Sequence, residues 1–204
     1  WRKTFDYCIF FGSLIPALLW GVTVGNLIQG TPIDSTMTYV GSFWDLLSPY
    51  TILCGIAFIL VFTYHGGLFT AIKTAGEVAE QARAASLVVG VFTAIGAILL
   101  AVATAIFTDM FHSTLAIVFY VVAVVFFLIS WFAARTRNTK TGFLFSSLTV
   151  IMITAAYFAG LFPRIMVSSL NPAWSLTIDN ASSSPYTLAL MTVVALVFVP
   201  IVLI

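Results

Sequence analysis

Six stretches of this sequence, residues 7–33, 46–72, 84–108, 110–134, 141–163 and 180–204, contain no Asp, Glu, Lys or Arg. Each is 23 to 27 residues long, and an α-helix needs about 20 apolar residues to cross a hydrocarbon core of roughly 30 Å. An open strand there would leave backbone groups unpaired in lipid, so helix is the form required. The rest of the composition agrees. Hydrophobic residues make up 61% of the chain, charged residues 7%, and the mean hydropathy is +1.12; such a chain cannot cover a globular surface with polar groups. We expect an all-α integral membrane protein forming one membrane domain over residues 1–204. The expected spans are about 7–29, 47–70, 85–107, 111–134, 142–163 and 185–204.

The few charges give a direction. Arg2 and Lys3 precede the first span, Lys73 and Arg83 lie between the second and third, and Arg135, Arg137 and Lys140 lie between the fourth and fifth. Of Lys and Arg, the intervening connections carry only Arg164. Seven against one, under the positive-inside rule, places the N-terminus, those two connections and the C-terminus in the cytoplasm. A net charge of +1, from 8 basic and 7 acidic side chains, is too small and too balanced for a nucleic-acid footprint, which excludes nucleic acid as a partner. The chain opens at Trp1 and ends at Ile204 inside an apolar run, so we expect a piece of a longer protein, and no short apolar segment with a cleavage site precedes the first span.

Local patterns fill in the connections. Lys73 to Arg83, KTAGEVAEQAR, carries Glu77 and Glu80 three apart with basic residues at each end, which suits a short interfacial helix continuing span two. Trp44, Tyr50, Trp131 and Trp174 lie near span ends and fit an aromatic belt, whereas Trp20 lies deeper. Ser182, Ser183 and Ser184 before Pro185 read as a helix N-cap with proline in the first turn. Pro16 and Pro200 are kinking positions inside spans. Cys8 and Cys54 sit in apolar segments, and we expect buried small residues rather than a disulfide or a metal site.

Two histidines could carry chemistry. His65 lies 20 residues after Asp45 on a span running inward, and His112 lies just after the outer turn at Asp109. At about 1.5 Å per residue most of the bilayer separates them, so they cannot form a bis-histidine haem or metal pair within this chain. His65 follows Tyr64 and precedes Gly66 and Gly67, where helices can approach closely. Tyr64 and His65 are the candidate cofactor-binding residues, His65 being either a hydrogen-bonded packing side chain or part of a proton or quinone path. His112 reads as an interfacial side chain. Gly25, Asn26 and Gly30 read as a helix terminus, with a broken-helix ion site as the other option. No ionisable residue falls at the middle of a span, which counts against a secondary transporter. A serine nucleophile would need a base and an orienting acid, and only Asp179 is near the serine run. No catalytic residue and no metal ligand is assigned.

Several segments together resemble a known family. Asn180–Leu188 (NASSSPYTL), preceded by Phe162-Pro163-Arg164 and by Trp174–Ile178, is similar to the last outer loop and final helix of cytochrome bd-type quinol oxidase subunit II. Trp1–Asp6, Leu14–Val22 (LIPALLWGV), Gly25–Leu27, Pro32–Asp34, Leu46–Tyr50 (LLSPY) and His65–Gly67 continue the resemblance in the family's order. It covers nearly the whole chain, as the C-terminal two-thirds of a subunit of about nine helices. The resemblance implies a bacterial cytoplasmic (inner) membrane protein that packs against subunit I in a heterodimer of similar folds. That oxidase oxidises quinol and reduces dioxygen to water in the respiratory chain. It implies b- and d-type haems held by subunit I, none ligated by this chain, and leaves room for a structural quinone and a small accessory subunit. Its known acidic proton-route group belongs to the N-terminal third, outside these 204 positions. The alternative from another class is a small-solute transporter or channel, which lacks support from charge placement or internal symmetry.

Overall fold

The computed structural model describes residues 1–203, the side chains of Arg2 and Leu203 excepted. Ile204, the end of the sixth expected span, and the Arg2 side chain lie outside the described residues. Among those residues six helices are long and apolar enough to cross a membrane, with mean hydropathy between 1.8 and 2.7 in their most apolar windows. They are α1 (Arg2–Gln29), α2 (Pro49–Lys73), α3 (Gly76–Phe107), α4 (Thr114–Arg135), α5 (Thr139–Leu161) and α6 (Pro185–Leu203). A short antiparallel hairpin, β1 (Arg164–Met166) and β2 (Leu176–Thr177), lies in the connection from α5 to α6.

The sequence sets most helix starts through capping. Ser48 Oγ accepts from Thr51 N at 3.2 Å with Pro49 in the first turn of α2. Ser113 caps α4 at Ala116 N and Asn138 caps α5 at Thr141 N, both at 3.4 Å. Ser184 Oγ accepts from Thr187 N at 3.4 Å, and Pro185 follows it. In each case a side-chain oxygen satisfies a backbone donor that the first helical turn leaves free. α1 ends at Gly30, whose φ of +100° lies where a side chain is strained, and a Cβ there would lie 3.2 Å from Ser169 N. Asn26 serves this terminus: its Nδ2 donates to Val22 O and Leu46 O, each at 2.9 Å.

One connection differs from expectation. The 73–83 helix does not continue α2: α2 ends at Lys73, Thr74 and Ala75 are extended, and Gly76 at φ +64° begins α3. Glu77 then lies in the first turn of α3, where a carboxylate meets the positive end of the helix dipole. Glu80 joins the turns, with Arg83 at 2.8 Å and Arg137 at 3.3 Å, while Arg83 Nη1 donates to Ala134 O at 3.3 Å.

The helices pack through small residues, as lipid-embedded helices do. α1 meets α2 where Gly21 faces Cys54 and Gly55: a Cβ on Gly21 would fall 2.6 Å from Cys54 O. α4 meets α5 through Ser130, Ala134 and Gly142. α2 pairs with α3 and also packs on α5, whereas α3 and α4 approach only sparsely. The result is a bundle of α2, α3, α4 and α5 that is open between α3 and α4. α6 is buried nowhere, every described side chain from Ala181 to Val202 being exposed. The first half of α1 is similarly bare, which corrects the expectation for Cys8: it is exposed, and Cys54 alone is buried, both as free thiols. Among the described residues the α1 turn that carries Cys8 is exposed throughout.

At the end of the bundle away from Lys73 and Arg83, the α1–α2 and α5–α6 connections are stitched together. Thr31 N donates to Val167 O at 3.0 Å, Ser169 N to Thr31 O at 2.9 Å, and Ser168 Oγ to Ile33 O at 2.7 Å. Asp109, in the α3–α4 turn, receives Arg164 in two contacts of 2.7 and 2.9 Å. That guanidinium holds the Asp109 carboxyl below the usual carboxylate range.

Candidate functional site

The sparse α3–α4 contact leaves a cavity of about 420 Å³ inside the four-helix bundle. α2 contributes Val61, Tyr64 and His65; α3 contributes Thr93 to Val102; α4 contributes Tyr120 to Leu128; α5 contributes Ser146, Thr149 and Ile153. Both residues singled out in the sequence therefore face the same space. Helical geometry accounts for it: adjacent Tyr64 and His65, with Val61 one turn earlier, line one face of α2. Ser146, Thr149 and Ile153 line one face of α5 at spacings of three and four.

Tyr64 is 2% exposed. Its hydroxyl lies 2.8 Å from Ser130 Oγ, and Ser130 Oγ donates to Gly142 O at 2.6 Å. Because a carbonyl only accepts, the serine proton is committed to Gly142, and Tyr64 is the donor to Ser130. The tyrosine ring packs on Phe127 at 5.3 Å and closes the α3 side against Gly90, where a Cβ would lie 3.1 Å from Tyr64 Cε2.

His65 stacks on Phe143 with ring centroids 4.6 Å apart and an interplanar angle of 26°. Its Nδ1 lies 2.8 Å from Ser146 Oγ, which donates to Phe143 O at 2.7 Å. The same logic makes Nδ1 the donor, and the neutral ring then carries its lone pair on Nε2. Three further hydroxyls of the lining donate to helix carbonyls: Thr93 to Val89 O at 2.9 Å, Thr149 to Phe145 O at 2.8 Å and Tyr120 to Ala97 O at 2.9 Å.

His112 lies in the turn Met110–His112, at the other end of the bundle from His65. His65 sits roughly 12 Å from the Lys73 end of α2, at about 1.5 Å per residue. The two imidazoles do not meet. Among the described residues no three of His, Cys, Asp and Glu come together as a metal site would need. Gly25 lies against Cys54 and Thr51, with a Cβ position 3.0 Å from Cys54 Sγ, so the Gly25–Asn26–Gly30 stretch is occupied by helix packing and by the α1 terminus. Sequence reasoning missed Ser130, Ser146, Thr149, Thr93 and Tyr120. The available signal was the small-polar spacing on α5, Ser146 to Thr149, in an otherwise apolar helix.

The amino-acid sequence that folds into this bundle matches a known family along its whole length. The family model for cytochrome bd terminal oxidase subunit II matches residues 1–204. The chain belongs to that family. A relative from Bacillus subtilis (strain 168), cytochrome bd ubiquinol oxidase subunit 2, is 38% identical over 213 residues, covering 100% of this chain and 61% of its own length. A probable cytochrome oxidase subunit 2 from Haemophilus influenzae is 32% identical, with 100% and 63% covered. Cytochrome bd-I ubiquinol oxidase subunit 2 from Escherichia coli (strain K12) is 30% identical, again with 100% and 63% covered. The chain thus spans about three-fifths of the length of the curated relatives it matches.

Proposed function

We propose that this protein is subunit II of a cytochrome bd-type terminal oxidase of the bacterial cytoplasmic membrane. In this reading it packs against a haem-bearing subunit I and supports quinol oxidation coupled to reduction of dioxygen to water. The observation that carries the reading is the family match over residues 1–204. The separation of His65 from His112 along the bundle supports a role without haem ligation by this pair. The surplus of Lys and Arg at the end holding Lys73, Arg83, Arg135 and Arg137 supports placing that end in the cytoplasm. Exposed α6 and the bare half of α1 then supply apolar surface for lipid and for the rest of the assembly, a small accessory subunit included.

The test is purification of the full-length parent, tagged on this subunit, from membranes in mild detergent. The expected result is co-purification with a second, haem-bearing polypeptide and a reduced-minus-oxidised spectrum containing b- and d-type bands. A colourless single component would overturn the oxidase reading.

A further inference from the structure

Around the α2–α3 and α4–α5 turns, the carboxylates are already taken. Glu80 holds both Arg83 and Arg137, at 2.8 and 3.3 Å, and Glu77 accepts from Gln81 Nε2 at 2.9 Å. Lys73, Arg135 and Lys140 are exposed there, and none of them forms an ion pair among the described residues. Arg135 lies over the Trp131 ring at 5.5 Å, and that indole donates to Leu87 O, so this cation belongs to the α3 side. The two lysines stand elsewhere. Lys73 Nζ lies 5.7 Å from the centre of the Phe69 ring, and Phe69 in turn lies 5.7 Å from Phe143 of α5. α2 ends and α5 begins at this end of the bundle. Lys73, four residues after Phe69, and Lys140, three before Phe143, therefore both stand about one helical turn beyond that ring pair.

A groove leads from the two lysines along the outside of the bundle. Phe62, Gly66, Phe69 and Lys73 recur at spacings of four, three and four, which puts them on one face of α2. Lys140, Leu144 and Ile151 share a face of α5 in the same way. Because the two helices run antiparallel, both faces flank the contact of α2 with Phe143 on the same side, away from Tyr64 and Thr149. None of these residues lines the 420 Å³ cavity. Phe62, Phe69, Leu144 and Ile151 are 41 to 56% exposed, and at Gly66 a Cβ would meet nothing within 4 Å, which leaves a notch between the two phenylalanines of α2. From Lys73 back to Phe62 the helix rises about 16 Å, close to half of a hydrocarbon core of roughly 30 Å. At that depth Phe62 also lines a cavity of about 150 Å³ with Trp20 of α1 and Thr154 of α5.

We infer that this groove is a binding site for an anionic phospholipid, its phosphodiester held between the ammonium groups of Lys73 and Lys140 and one acyl chain laid over Phe69, Gly66 and Phe62. Charge complementarity selects the head. An anionic lipid supplies the counter-charge that no carboxylate of the described residues gives these lysines, whereas a zwitterionic lipid brings a cation of its own. Near a membrane surface each lysine is worth about fivefold in binding an anionic lipid. The length of the apolar groove selects a lipid chain. The inference needs only that α2 and α5 span a membrane, and stands apart from the oxidase reading.

The experiment places the intact parent protein, in its native assembly, in phosphatidylcholine nanodiscs. These contain, at equal low mole fraction, phosphatidylglycerol or phosphatidylcholine with a diazirine near the end of one acyl chain. Cross-linked peptides are mapped by mass spectrometry in the native protein, in Lys73→Gln, in Lys140→Gln, in the double variant and in Arg135→Gln, which removes an unpaired cation from the same end but outside the groove. Each assembly is first recovered by size exclusion. The expected result is labelling around Phe62 and Ile151 by phosphatidylglycerol about twenty-five-fold above phosphatidylcholine. Each single lysine variant lowers it about fivefold, the double variant brings it to the phosphatidylcholine level, and Arg135→Gln leaves it unchanged. Equal labelling by the two lipids, or phosphatidylglycerol labelling that persists in the double variant, overturns the assignment. A loss in Arg135→Gln as large as in Lys73→Gln overturns it in favour of general surface charge, and labelling by neither lipid overturns it in favour of a protein cover on this face.

Discussion

Removing the Ser130 hydroxyl should unsettle the bundle through Tyr64, 66 residues away in sequence. Ser130 is 0% exposed and Tyr64 2%; the tyrosine donates at 2.8 Å, and the serine passes its own proton to Gly142 O at 2.6 Å. In Ser130→Ala the tyrosine O–H is left buried without an acceptor, a loss of about 1–3 kcal/mol in a protein interior. Interhelical hydrogen bonds within membranes average about 0.6 kcal/mol and reach about 1.7 in double-mutant cycles. We therefore expect Ser130→Ala to cost about 1–2 kcal/mol and Tyr64→Phe about 1 kcal/mol. The double variant, which has no orphaned donor, should cost less than the sum by about 0.5–1.5 kcal/mol. The assay is reversible unfolding of the purified full-length protein in mixed micelles of rising SDS content. Strict additivity of the two substitutions would refute the assignment of Tyr64 as donor to Ser130.

Three other outcomes follow from the same geometry. Gly21→Ala drives a Cβ to within 2.6 Å of Cys54 O and Gly55 Cα, backbone that cannot yield alone, and should cost about 1–3 kcal/mol; Gly12→Ala, with nothing within 4 Å, should stay near neutral, and equal thermal stabilities for the two would contradict the α1–α2 packing. Asp109→Asn breaks the pair with Arg164, whose carboxylate partner is 46% exposed, so the loss should stay below about 1 kcal/mol. Because the folded Asp109 pKa is depressed by Arg164, its contribution is complete above the ordinary carboxylate range and disappears as pH falls through the depressed value. Native protein should accordingly lose this increment on acidification while Asp109→Asn does not; melting curves at pH 7 and near pH 3 check the difference. Trp131→Phe removes the 3.1 Å bond from Nε1 to Leu87 O and should destabilise the sparse α3–α4 contact by about 0.5–1.5 kcal/mol, read as faster hydrogen exchange in α3 around Leu87; unchanged exchange there would count against that contact.

How much of this was legible in the sequence follows from range. Charge-free windows locate six apolar helices because lipid forbids unpaired charge and unpaired backbone alike. The break at Thr74–Ala75 was not legible, since an acidic–basic pattern such as 73–83 supports a helix without saying which neighbour it joins. Gly76 at φ +64° assigns it to α3. Tyr64 and His65 were found as the polar residues of a glycine-bearing span, but their partners Ser130 and Ser146 lie 66 and 81 residues away. A small hydroxyl in an apolar helix looks the same whether it bonds its own backbone or a distant ring. The exposure of Cys8 was missed for a related reason: apolar composition reports that a segment avoids water, not whether protein or lipid covers it.

Under the proposed function this chain supports a haem oxidase without ligating haem through its own histidines. The most direct test is the reduced-minus-oxidised visible spectrum of the assembled complex carrying His65→Phe, His112→Phe or both, each normalised to intact complex recovered by size exclusion. The account predicts b- and d-type bands of unchanged intensity per complex in all three. Loss of any one band from an otherwise assembled complex would contradict it.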